Sequence, residues 1–132
     1  MKRFIVASTL LLSTTLLNAA EDSKVTFIAA DQVAKGGSPA TPPNLSMTLA
    51  HRAEPGMVEV HDKETDTFYV LDGSATIVTG GTMVGGSATG PGQHRGTDIT
   101  GGKAQRLAKG DVMVIPAGVP HWFKEVPSSI DY

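Results

Sequence analysis

Gly110-Asp111-Val112-Met113-Val114-Ile115-Pro116-Ala117-Gly118-Val119-Pro120-His121-Trp122-Phe123 is the stretch on which the fold turns. It reads as an apolar strand, a tight Pro-Ala-Gly turn and a second strand that opens on an imidazole. Such a turn delivers His121 to the interior of a β-structure.

Upstream stands a second informative run, Pro55-Gly56-Met57-Val58-Glu59-Val60-His61-Asp62-Lys63-Glu64-Thr65-Asp66-Thr67-Phe68-Tyr69-Val70-Leu71-Asp72-Gly73. Alternate residues of a strand share a face, so Glu59 and His61 point one way while Val58 and Val60 point the other. A turn over 62–65 reverses the chain, and the next strand sets Asp66, Phe68 and Val70 on one face. Antiparallel pairing of these two strands predicts Asp66 beside His61. One hairpin thus offers two carboxylates and an imidazole.

Working outward, short segments rich in Val, Ile, Thr, Phe and Tyr alternate with glycine and proline, the punctuation of an all-β domain. Strands are predicted over 24–29, 45–52, 57–61, 66–71, 75–79, 97–100, 104–107, 112–115 and 121–124. Only 31–35 reads as weakly helical, and Gly36, Gly37, Pro39, Pro42 and Pro43 end it. The glycine-rich segment 80–102 predicts a long hairpin excursion over the surface. It lacks the Lys-Ser or Lys-Thr ending of a phosphate-binding loop and opens no helix.

The two quoted stretches resemble the paired motifs of the cupin superfamily. The second motif, a glycine, Pro-x-Gly and a histidine at fixed spacing, is met by Gly110, Pro116, Gly118 and His121 without a gap. In the first, His61 takes the place of the second histidine of a His-x-His pair, and Asp66 and Gly73 take the places of its acid and glycine. Three positions depart from the pattern: Glu59 stands for a histidine, Asp66 for the more usual glutamate, and Glu125 for an asparagine. The resemblance implies a double-sheet, jelly-roll barrel. It also implies one divalent metal ion (Mn, Fe, Zn or Ni) held by Glu59, His61, Asp66 and His121, since carboxylate oxygens and imidazoles both suit such ions.

Neighbouring residues invite comment. His51 shares a face with Met47 and Leu49 and is expected at the pocket or its rim. His94 is expected to be solvated. Phe68 and Phe123 share faces with Asp66 and His121 and predict an apolar wall. Trp122 points away from His121, towards packing or an oligomer contact.

A length of 132 residues fits one domain. Lys2 and Arg3, the apolar run 4–17 and Asn18-Ala19-Ala20 read as a signal peptide over 1–20, with the domain over 21–132 and a periplasmic or secreted destination. The apolar run falls short of the roughly 20 residues that cross a bilayer as a helix, so no membrane association is expected. The chain has no cysteine, which excludes disulfide stapling and lipid acylation at cysteine. Its net charge is −2, more negative once Lys2 and Arg3 are removed, and argues against nucleic acid as a partner. The run 128–132 begins what looks like another strand and stops, which predicts an exposed edge and a homodimer.

The reading that follows is an exported metal-binding domain acting on a small molecule. In it Glu59 is either a metal ligand or a general base. The alternative is a barrel that binds a sugar or an organic acid without turnover, because fold alone does not separate the two.

Overall fold

The computed structural model describes residues 25–41 and 43–132. The signal-peptide expectation, and Lys24 of the first predicted strand, lie outside the described residues. Among those described, no helix is long and apolar enough to cross a membrane.

In chain order the elements are α1 (Ala30–Val33), β1 (His51–Arg52), β2 (Val58–His61), β3 (Asp66–Tyr69), β4 (Asp72–Thr79), β5 (Thr82–Val84), β6 (Ser87–Gly90), β7 (Gln93–Gly96), β8 (Asp98–Thr100), β9 (Lys103–Ala108), β10 (Val112–Ile115), β11 (His121–Glu125) and β12 (Ile130–Asp131). All named pairings are antiparallel. The main sheet runs β1-β12-β4-β11-β2-β7-β6, with β9 on the other edge of β4. β4 carries Ala75, Ile77 and Val78 buried, and it pairs with β9 on one side and with β11 and β12 in succession on the other.

A second, two-stranded sheet of β10 and β3 faces it. Between them lies the core: Ala75, Ile77, Leu107, Phe123 and Ile130 from the main sheet, with Ile115 from the smaller one and Val70 just beyond the end of β3. Burying side chains of this size stabilises by about 1.5–3 kcal/mol each, so this face-to-face packing is the main source of stability.

The all-β expectation holds, but the sheets do not close into a barrel. Closure needed strands from 25–29 and 45–52. Residues 25–29 carry no regular structure and leave Val25 and Phe27 exposed, and 45–52 yields only β1 and a single bridge from Leu49 to Gly37. Pro39 and Pro43 lack the N–H that a ladder requires. Among the described residues no strand ladder therefore joins β3 or β10 to the main sheet, and the architecture is an open sandwich.

Two other expectations change. Segment 80–102 is the predicted hairpin excursion and is largely exposed, but it does not stand apart from the sheet: it forms four strands. β7 joins β2 in the main sheet and β6 pairs with β7, while β5 and β8 pair separately. Its glycines permit close approach, since a Cβ on Gly96 would meet the Met83 side chain and one on Gly102 would meet Val78 and Ile99. The end of the chain is not an exposed edge. β12 lies between β1 and β4, with Ile130 fully buried. Gly73 makes this insertion feasible: its φ is +75°, and a Cβ there would lie 2.1 Å from the Ser129 carbonyl oxygen.

Candidate metal centre

The site begins with strand register. β2 lies between β11 and β7. His121 is the direct partner of Glu59, Glu59 of Arg95, and His61 of Gln93. Directly opposed residues share a face with Cβ atoms about 4.5–5.5 Å apart. One row across three strands is therefore His121, Glu59, Arg95, and the adjacent row holds His61 and Gln93. The Pro116–Gly118 turn is fastened to this row by the Gly118 N–H, which donates to the His61 carbonyl at 2.7 Å. Gly118 takes a φ of +77° there, a conformation that favours glycine.

Asp66 arrives by a different route from the one predicted. β2 and β3 do not pair; residues 62–65 carry the chain from one sheet to the other, and β3 pairs with β10, setting Asp66 opposite Ile115. Asp66 thus reaches the histidines across the sandwich. Its Oδ2 lies 3.2 Å from His61 Nε2 and 3.3 Å from His121 Nε2. Glu59 Oε2 lies 3.8 Å and 3.9 Å from the same two nitrogens. Ligand atoms of Glu59, His61 and His121 all fall within 4.8 Å of one another, a grouping that can hold a metal ion.

The tautomers follow from the partners. His121 Nδ1 is 3.1 Å from the Val119 carbonyl oxygen, which only accepts, so Nδ1 carries the proton. His61 Nδ1 contacts Gln93 Oε1, and the Gln93 amide nitrogen donates to Glu64 Oε2 at 2.9 Å, which orients the amide oxygen towards His61. In their neutral form both imidazoles then turn a lone pair on Nε2 into the site. Such hydrogen bonds on the far nitrogen are what orients metal-binding histidines.

Four acceptors now face one another with no donor among them. Burial sharpens the problem: His121 is only 3 % exposed and its Nε2 has no hydrogen-bond partner. Buried acceptors left in this state are costly. Glu59, His61 and His121 form the grouping that can hold a divalent cation; Asp66 lies near both Nε2 atoms but is not part of that grouping, and the three residues fit the ion that the sequence resemblance implies.

Arg95 and Gln93 escaped the sequence reading because they lie in the glycine-rich segment, and only pairing with β2 brings them behind the ligands. Arg95 Nη1 holds Glu59 Oε1 at 2.6 Å and leaves Oε2 turned to the histidines. His94 is partly exposed and contacts the exposed Asp62 at 3.0 Å. His51 does not reach the site: it is exposed on β1, with Nδ1 2.6 Å from Asp131 Oδ1. Glu125 is exposed at the end of β11.

Beside the ligands opens a cavity of about 740 Å³, bordered by Glu59, Asp66 and His121 and walled by Phe68, Phe123 and Tyr132. Phe68 and Phe123 line it as predicted, and Tyr132 joins them. Phe123 stacks on Tyr132 with centroids 4.9 Å apart and lies 5.4 Å from Phe68. Trp122, on the opposite face, donates its indole N–H to the Gly56 carbonyl at 2.7 Å.

A family model described as Cupin matches residues 39–128, a span that contains Glu59, His61, Asp66 and His121. No curated protein and no solved structure matches the chain.

Proposed function

The chain belongs to the cupin family, and on that premise we propose that it holds one divalent metal ion through Glu59, His61, Asp66 and His121 and acts with it on a small molecule in the adjoining cavity. The observation that carries the reading is the donor-free convergence of two imidazole lone pairs and two carboxylates, with His121 Nε2 buried and unpartnered.

When bound, the ion supplies Lewis-acid polarisation of a substrate oxygen. The chain's own residues do the rest. Val119 and Gln93 fix the two tautomers, and Arg95 neutralises one oxygen of Glu59 and aims the other. Oε2 of Glu59 borders the cavity's ligand end, where a carboxylate can also take up a substrate proton. Phe68, Phe123 and Tyr132 supply the apolar wall that excludes water from one side. The cavity opens directly on Glu59, Asp66 and His121, and that access supports chemistry over an enclosed structural ion. The leader-like residues 1–20 support a periplasmic or secreted location for this activity.

The test is elemental analysis of protein purified without added metal, together with His121→Ala. The parent is expected to carry about one ion per chain and the variant at least tenfold less. A parent without stoichiometric metal overturns the proposal, and the element found selects among Mn, Fe, Zn and Ni.

A further inference from the structure

His51 and Arg52 are consecutive in β1 and so point to opposite faces. His51 turns to solvent, while Arg52 turns into the cavity that borders the ligand cluster. Its guanidinium carbon sits 5.0 Å from the centroid of the Phe123 ring. Among the described residues no carboxylate pairs with it, although Glu59, Glu64 and Asp66 border the same cavity. Its Nε is buried with no hydrogen-bond partner. The contact with Phe123 is a cation–π contact and uses none of the N–H donors, and no hydrogen bond from the guanidinium is formed among the described residues.

The guanidinium packs closely on its surroundings: a Cβ on Gly56 would lie 2.7 Å from Arg52 Nη1. Gly56 is itself tied to β11 twice, through its N–H to the Phe123 carbonyl at 3.0 Å and through the Trp122 indole. The cavity therefore has two polar ends. The ligand cluster is at His121; the cation is over Phe123, two residues further along the same face of β11. Phe68 and Tyr132 lie along the wall between.

From this arrangement we infer that the cavity takes a small carboxylic acid, its carboxylate held by the forked donors of Arg52 and a second oxygen directed to the ligand cluster. Arginine's planar fork matches a carboxylate with two parallel hydrogen bonds. The inference rests on the metal reading for the second contact only; the Arg52 contact is independent of it.

The experiment is calorimetric titration of the full chain, as purified and after chelation, with succinate and with its uncharged analogue succinamide, in the parent, Arg52→Gln and Arg52→Lys. Metal content is measured alongside. Succinate is expected to bind the parent at least tenfold more tightly than succinamide does, to lose at least tenfold in Arg52→Gln and to lose less in Arg52→Lys. In chelated protein the preference for succinate over succinamide persists at lower affinity. Equal binding of succinate and succinamide, no binding of either, or parent-like succinate affinity in a folded Arg52→Gln overturns the inference while leaving the metal reading intact. A protein devoid of metal sinks the metal reading instead, and the chelated arm then judges Arg52 alone. Should Arg52→Gln fail to fold, the parent's succinate to succinamide ratio and Arg52→Lys decide.

Discussion

His121 and His51 each stand beside an aspartate brought from a distant part of the chain, yet they belong to different kinds of place. His51 makes the shorter contact, 2.6 Å to Asp131, but its side chain is 63 % exposed and the aspartate satisfies it. His121 lies 3.3 Å from Asp66, is almost fully buried, and has one nitrogen committed to a carbonyl and the other facing acceptors only. Proximity of an imidazole and a carboxylate is therefore not what marks a site. What marks it is a cluster of acceptors around a buried imidazole nitrogen that has no hydrogen-bond partner.

The contrast can be broken in stages. Its largest consequence is thermal: a chelator should lower the melting temperature of metal-loaded parent by on the order of 15 °C when free metal stands about a thousandfold above its dissociation constant, and should leave His121→Ala unmoved. Differential scanning calorimetry reads both, and a chelator-insensitive parent would erase the distinction between the two histidines. A middle effect belongs to Gln93. Gln93→Leu keeps every ligand but removes the acceptor that orients His61, and should weaken metal binding by about 10–100-fold. Competition with a chromophoric chelator measures it, and parent-like affinity would mean that the His61 tautomer needs no support from β7. The smallest effect is expected at the surface: His51→Ala should cost below about 1 kcal/mol in denaturant unfolding and leave metal content unchanged.

The same two regions explain what was legible in advance. Glu59, His61 and His121 were readable because strand alternation is a local property, and a Pro-x-Gly turn before a histidine fixes where that histidine enters a strand. Asp66 was placed next to His61 for the wrong reason. The hairpin that would have paired them does not exist, and the contact comes from the chain crossing between sheets at 62–65. Gln93 and Arg95 were missed because glycine-rich composition masks strand-forming potential, and their value depends entirely on register with β2. Arg52 was assigned to a predicted strand without a role, since nothing local shows that its neighbours leave it without an acid.

By itself the sequence determined that the protein is β-rich, where its turns fall, that it has no disulfide, and which three side chains alternate into one face. These are consequences of backbone sterics, side-chain period and residue chemistry, and they act over a few residues at a time. Only the tertiary structure decided that the two sheets stay open rather than close, that the glycine-rich segment folds back to support the ligands, and that Asp66 and Arg52 enter the same cavity from opposite sides. Each of those outcomes depends on which strand edges find partners across the molecule, and that is set by packing and register between segments far apart in the chain.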